Sequence, residues 1–334
     1  MDPRSEGTRP AAGPVLAEAS LPQSGAKNIG TTFDPEAYAA LNAYVQKRGW
    51  ERVLSSVATI PADARILDLG FGHGGNTAEL ARSVQGNGGV VFGIEASEAM
   101  VDTARRNYPA ATHPNLKFLN GRAEEAADAV RAYCTLNGTS QPSFDIVLSN
   151  YTLHWVRDPS TPSHFLHEDM FRTLNTLQRL GDRQFHFCAE RDAFMELFEA
   201  GYSLIRESND WRECFPLQAG DHSAEGEWRH PPLISSAALS KALERSGYDA
   251  TIEKYEDERR FDSRASLEGW VGAMIRPFMS RIPEGSKESF VNAWVDRYLS
   301  SYPWAVQRTQ AGEDAFILRD RNLLVVASKV SELD

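Results

Sequence analysis

The sequence predicts an α/β fold built on a mostly parallel sheet, and three observations predict it. Short apolar runs alternate with helix-periodic segments from residue 65 to residue 190, the pattern that lays helices on both faces of a parallel sheet. A glycine-rich turn, Gly70-Phe-Gly72-His-Gly74-Gly75, separates the first of those runs from its helix. An acid, Glu95, closes the second run. Seven strands are expected in all, with a helical cap inserted late in the chain.

Taken in order, residues 1–30 are rich in Pro, Gly, Ala and Ser without sustained periodicity, so a disordered tail is expected there. The folded domain is expected over 31–330. Asp34 can cap a helix with Pro35 at its first position, and Tyr38, Leu41, Tyr44 and Val45 continue it at helical spacing. Strands are expected at Arg65–Leu69, Gly89–Ile94, Leu116–Leu119, Phe144–Leu148 and Gln184–Cys188. The intervening helices carry Leu80 and Val84, then Met100, Val101 and Ala104, then the span Glu124–Leu136, then Met170–Leu180. Helical periodicity dominates approximately 191–303, the expected cap, with one further strand at Ala250–Tyr255. The runs Ala315–Arg319 and Asn322–Lys329 predict a closing hairpin whose second arm joins the sheet.

Composition narrows the function classes. With 46 acidic against 35 basic residues the formal net charge is -11. A surface of that sign repels phosphate backbones and anionic headgroups, which disfavours nucleic acid and membrane surfaces as partners. A small-molecule substrate is the expected partner, and the oligomeric state is not legible. Three well-separated cysteines, Cys134, Cys188 and Cys214, have no C-x-x-C spacing, which fits a reducing, cytoplasmic setting. No run approaches the apolar length of a membrane span.

The turn Asp68-Leu-Gly-Phe-Gly-His-Gly-Gly-Asn-Thr77 is the most informative stretch. Glycine permits positive φ and a close approach of ligand to backbone, and the first β-α turn of a doubly wound sheet is where nucleotide-like cofactors dock. Glu95 can accept from both ribose hydroxyls of an adenosine. Gly70, Gly72 and Gly75 also satisfy the dinucleotide pattern G-x-G-x-x-G. Asp68 tilts the reading toward S-adenosylmethionine over NAD, because an acid there orients an ammonium and would repel a pyrophosphate. Helical sequence before the first strand points the same way.

On Ile66–Thr77, Gly93–Met100 and Phe144–Trp155, the chain resembles the class I S-adenosylmethionine-dependent methyltransferases, with their Rossmann-like sheet. Within them it is most similar to the group containing trans-aconitate, malonyl-carrier-protein and juvenile hormone acid methyltransferases. The resemblance covers about residues 60–190 and is architectural beyond. It implies that Gly70 and Gly72 pass beneath the methionine part of the cofactor, with Asp68 near its amine and the Ser149 carbonyl facing it. Glu95 would grip the ribose, Ala96 and Met100 would flank the adenine, and Ala123 would complete the cofactor set. The pre-sheet helix would add Tyr38 and Gln46. Three residues depart from the family's pattern. Phe71 is bulky between two glycines, His73 replaces a frequent proline, and Arg122 stands where an adenine-accepting Asp is usual. Arginine cannot accept that hydrogen bond.

Methyl transfer from a sulfonium is an in-line displacement, so the protein chiefly aligns the acceptor and excludes water. The candidate catalytic residues are His154, Tyr151 and Trp155, just after the fourth strand, with His154 either a base or a positioning group. Candidate substrate contacts are Arg191, Trp228 and Arg276, the first able to meet a carboxylate bidentately. His164 and His167 lack a third ligand, so no metal is expected. The expected activity is methyl transfer to an oxygen or nitrogen of a small metabolite, carboxylates included. A non-methylating elimination or cyclisation on the same fold, a non-catalytic cofactor-binding subunit and a nicotinamide enzyme remain open as alternatives.

Overall fold

The computed structural model describes residues 35–156, 168–178, 184–190, 195–215, 235–279, 281–310 and 312–330. The expected tail at 1–30 and the capping Asp34 lie outside the described residues. Strands are β1 (Arg65–Leu69), β2 (Val90–Glu95), β3 (Leu116–Asn120), β4 (Ile146–Asn150), β5 (Gln184–Glu190), β6 (Tyr248–Phe261), β7 (Val306–Arg308) and β8 (Asp314–Lys329). Helices of the sheet layer are α1 (Pro35–Ser56), α2 (Gly75–Val84), α3 (Glu98–Asn107), α4 (Ala126–Leu136) and α5 (Glu168–Leu177). They are followed by α6 (Met195–Glu207), α7 (Asn209–Arg212), α8 (Ser236–Arg245), α9 (Arg264–Met274), α10 (Arg276–Met279) and α11 (Lys287–Ser301).

The sheet runs β3-β2-β1-β4-β5-β8-β6, with β7 paired to β8. The pairs β3/β2, β2/β1, β1/β4 and β4/β5 are parallel, whereas β8 is antiparallel to β5, β6 and β7. This is the expected mixed, mostly parallel α/β sheet with helices. From β1 the chain winds outward to β2 and β3, then returns to place β4 on the other side of β1. That reversal opens a crevice at the carboxyl ends of β1 and β4, where ligands of such sheets bind.

Alternation along the strands divides the core into two layers. Leu67, Leu69, Phe92, Val147, Phe185 and Val325 face α4, α5 and α8. Ile66, Val91, Leu148 and Cys188 face the other way, against Trp50 and Val53 of α1 and Ala78 and Ala81 of α2. A third cluster unites α6, α9 and α11 with Phe261, Phe316 and Leu318 of the last strands. At its centre Trp294 lies so close to Gly201 that an added Cβ would stand 1.9 Å from the indole.

The end of the chain corrects an expectation. The two runs at 315–319 and 322–329 are not arms of a hairpin but one continuous strand, β8. The polar triplet Arg319-Asp320-Arg321 offers neither Gly nor Pro to turn the chain, and its two arginines have partners in the extended form. Arg319 meets Glu256 and Glu258, and Arg321 meets Glu256 and Glu196. β6 is correspondingly longer than the expected 250–255. The β6/β8 ribbon continues past Asn322, where pairing to β5 ends, and carries Phe261, Phe316 and Leu318 to the helical cluster. Smaller shifts are of boundary only: β4 begins at Ile146 rather than Phe144, and α5 ends at Leu177 rather than Leu180.

Candidate cofactor site

The site grows from the turn after β1. Gly70, Gly72 and Gly74 all take positive φ, at 75°, 59° and 83°. Gly70 is needed for closeness, since a Cβ there would stand 2.0 Å from Thr152 Oγ1. Gly72 is different: a Cβ there would meet nothing within 4 Å. The space above Gly72 is therefore open, and it belongs to a pocket with about 360 Å³ of empty volume. Its walls are Gln46 and Trp50 of α1, Asp68, Gly70, Phe71, Gly72, His73 and Asn76 of the turn, and Asn150 of β4.

The two departures in the turn have local explanations. The Phe71 ring leaves the loop for the core, packing tilted against Phe118 with centroids 4.6 Å apart. It lies across Gly93, where a Cβ would come within 2.7 Å. His73 Nδ1 accepts from the Gly75 backbone N–H at 3.1 Å, tightening the entry to α2 that a proline would otherwise stiffen.

Two acids serve this turn. Glu95 reaches back from the end of β2, Oε2 accepting from Gly72 N at 3.1 Å and Oε1 from Ser97 N at 2.9 Å. Burial pushes its carboxyl up, and the backbone N–H donors oppose that. With Ala96 N–H a third backbone donor, the carboxylate keeps one acceptor position for a ligand hydroxyl. Asn120 fixes the strand end by donating to the Glu95 and Ala96 carbonyls. Asp68 is 3% exposed, and Thr77 Oγ1 donates to its Oδ2 at 2.7 Å. Burial first, and the Glu95 charge second, push the Asp68 carboxyl up to about 7 against the Thr77 bond. A cation arriving in the pocket would reverse that shift.

The remaining expected residues fall as follows. Asp68, Gly70 and Gly72 line the pocket together, and Gln46 joins them. Ala96, Met100 and Ala123 lie about the ends of β2 and β3, Met100 and Ala123 buried, with none of the three in the pocket wall. Ser149 is buried and donates its hydroxyl to the Leu69 carbonyl. Arg122 is paired with Glu124, its Nε donating to Oε1 at 2.5 Å. Tyr151 has φ 52°, a costly conformation for a bulky residue. Its ring packs on Gly49, and its hydroxyl shares a 3.1 Å hydrogen bond with Tyr255. His154 is 2% exposed within the 3-10 turn Leu153–Trp155, away from the pocket wall. Arg191, Trp228, His164 and His167 lie outside the described residues, as do the side chains of Tyr38, Trp155 and Arg276.

Sequence reasoning missed Trp50, Asn76 and Asn150 as wall residues. Gln46, Gly49 and Trp50 stand at i, i+3 and i+4, one face of a helix, and that spacing could have found Trp50. An open cradle over Gly72, a buried acid without a cation among its partners in the described residues and a strand-end carboxylate together fit an adenosine that carries an amino-acid ammonium.

Comparison with known proteins agrees. Residues 66–176 match the model of a methyltransferase domain family. The chain is 23% identical over 302 residues to trans-aconitate 2-methyltransferase of Klebsiella pneumoniae (strain 342), covering 89% of this chain and 98% of that protein. Against the enzyme of that name from Paracidovorax citrulli it is 24% identical over 280 residues, covering 80% and 91%. The crystal structure of the YcgJ protein from Bacillus subtilis shares the fold, with TM-score 0.51 and 16% identity over 85% of this chain and 99% of that one. The chain is thus similar to methyltransferases, over residues 66–176 to the domain family and along most of its length to the trans-aconitate enzymes.

Proposed function

We propose that this enzyme moves the sulfonium methyl group of S-adenosylmethionine to an oxygen or nitrogen of a small metabolite, carboxylates included. The observation that carries the reading is the pairing of Asp68, buried and pushed up to about 7, with open space over Gly72. Two curated relatives are named for methylating a small tricarboxylate, which favours an acidic acceptor here.

When bound, the cofactor supplies an already activated methyl group. The chain's own residues bind, orient and exclude water. Asp68 holds the ammonium, Glu95 takes a ribose hydroxyl on the acceptor position its backbone donors leave, and Gly70 and Gly72 let the ligand lie against the backbone. Ala96, Met100 and Ala123 frame the adenine end, and the Ser149 carbonyl joins Asp68. On the acceptor side, Tyr151, His154 and Trp155 shape the approach, and Arg191, Trp228 and Arg276 meet the acceptor's charge. A carboxylate acceptor has no proton to lose, so His154 then only positions; for an amine or hydroxyl it takes the proton.

The test is incubation with methyl-labelled cofactor and trans-aconitate, other small di- and tricarboxylates, and small amines. The expected result is label in the product with equimolar S-adenosylhomocysteine. An acceptor consumed without label, equally well with S-adenosylhomocysteine supplied instead, would establish a non-methylating reaction on this fold.

A further inference from the structure

Among the described residues, Tyr151 is the one non-glycine residue with positive φ, at 52°. A bulky side chain is strained there, and the conformation persists only where its surroundings over-determine it. Three elements do so. From β5, the Cys188 carbonyl accepts the Tyr151 backbone N–H at 2.9 Å. From α1, Gly49 makes room for the ring, since a Cβ there would stand 2.3 Å from it. From β6, the Tyr255 hydroxyl meets the Tyr151 hydroxyl at 3.1 Å.

That last contact has a direction. Tyr255 has one hydroxyl proton and donates it to Cys188 Sγ at 3.3 Å, so Tyr151 donates to Tyr255. Cys188 in turn donates to the Gly49 carbonyl at 3.5 Å. The chain of donors that starts at the Tyr151 hydroxyl thus ends where the Tyr151 ring is seated. Burial pushes the Cys188 thiol up to about 12 and the Tyr255 hydroxyl up as well, so both keep their protons. Arg52 covers the Tyr255 ring at 4.1 Å. Tyr255 stands level with the end of β5, because Asn322 of β8 pairs with both Tyr255 and Glu190.

The strained turn has a consequence at the cofactor loop. It brings Thr152 down on Gly70, with Thr152 Oγ1 donating to the Gly70 carbonyl at 3.2 Å. The 3-10 turn Leu153–Trp155, which carries His154, follows directly. We propose that Tyr255 is a positioning residue for methyl transfer, acting through Tyr151 on the segment that holds His154 and Trp155. An extended Tyr151 would lift Thr152 from Gly70 and carry His154 away with it. The inference rests on the proposed function and extends it to β6, which touches neither cofactor nor acceptor in that reading yet sets the geometry between them.

Tyr255→Phe keeps the ring beneath Arg52 and deletes the hydroxyl. Tyr151→Phe cuts the same bond from the other side and serves if the first variant does not fold. Hydrogen exchange of the full chain, read by mass spectrometry, needs no acceptor. Either variant should exchange residues 150–156 about tenfold faster and leave β1 and β2 within about twofold of wild type. With methyl-labelled S-adenosylmethionine and trans-aconitate or the other small acids and amines, kcat should fall about tenfold, the scale of one hydrogen bond. Affinity for S-adenosylhomocysteine should stay within about twofold. The double variant should lose no more than either single one, since all three break one bond. Unchanged exchange at 150–156, faster exchange throughout the sheet, unchanged kcat, or losses that multiply in the double variant would each overturn the proposal while leaving the proposed function in place. Wild-type protein that transfers no label to any acceptor removes the proposed function and this inference together.

Discussion

Two acids buried in the same molecule are treated in opposite ways. Asp257, on β6 and 6% exposed, receives Arg48 at 3.1 Å and Arg52 at 3.5 Å from α1. Arg52 also lies over the Tyr255 ring, 4.1 Å from its centroid. Asp68, on β1 and as deeply buried, is given a threonine hydroxyl and the nearby charge of Glu95. One acid is neutralised by the fold and ties α1 to the last strands. The other meets no cation among the described residues, and in the proposed function it receives the cofactor's ammonium. Burial alone therefore does not identify the functional acid; its partners do.

Exchanging each acid for its amide is the strongest way to break this contrast. Asp68→Asn should weaken S-adenosylhomocysteine binding about 10²-fold, the scale of a lost charge-assisted bond, yet raise the melting temperature of the free protein at neutral pH. Asp257→Asn should do the reverse, costing about 1–2 kcal/mol after allowing for the half-exposed arginines and changing affinity far less. Equal effects of the two variants on both measurements would end the distinction. Gly72→Val comes next. Its Cβ enters the open space of the pocket, so binding should fall more than about 10²-fold, with a backbone cost of about 1–2 kcal/mol for a β-branched residue at φ 59°.

The pH dependence sharpens the contrast further. Asp68 rises from an ordinary carboxylate value to about 7 on folding, so the folded state prefers it protonated. Its contribution to stability is then greatest below the unfolded value near 4 and is lost as pH rises through 7. Ligand binding runs oppositely, because the ammonium needs the ionised acid. Affinity for S-adenosylhomocysteine should fall about tenfold per unit below pH 7 and level off above it. Asp68→Asn should flatten both profiles, which calorimetry and thermal melts at several pH values would show.

His154→Ala is expected to separate turnover from affinity. Turnover should drop about 10²–10⁴-fold if the acceptor loses a proton, and much less for a carboxylate. Cofactor affinity should stay within about threefold, since the ring is not in the pocket wall. Steady-state kinetics beside a binding titration would check both, and a loss confined to affinity would reassign the residue to the cofactor.

The legible part of the molecule is the part where function and neighbourhood in sequence coincide. Asp68, Gly70 and Gly72 lie within five positions of one another, and Glu95 ends the very next strand, so one local pattern carries them all. Trp50 and Asn150 reach the same pocket from a helix upstream and a strand downstream, joined only by the fold. Asn150 stood next to Ser149, which drew the assignment instead because family position favours its carbonyl. The terminal strand was misread for a related reason. Arg319-Asp320-Arg321 looks like a solvated turn in isolation, and only the acids of β6 and α6 show why it stays extended. Long-range charge pairing leaves no local periodicity to read.

The account stands most directly on what the pocket over Gly72 accepts. Titration of the purified protein with S-adenosylhomocysteine and, separately, with NAD decides it. Binding of S-adenosylhomocysteine at micromolar affinity or tighter, with NAD weaker by at least about two orders of magnitude, is the expected result, since Asp68 attracts an ammonium and repels a pyrophosphate. Tight NAD binding with no detectable S-adenosylhomocysteine binding would contradict it.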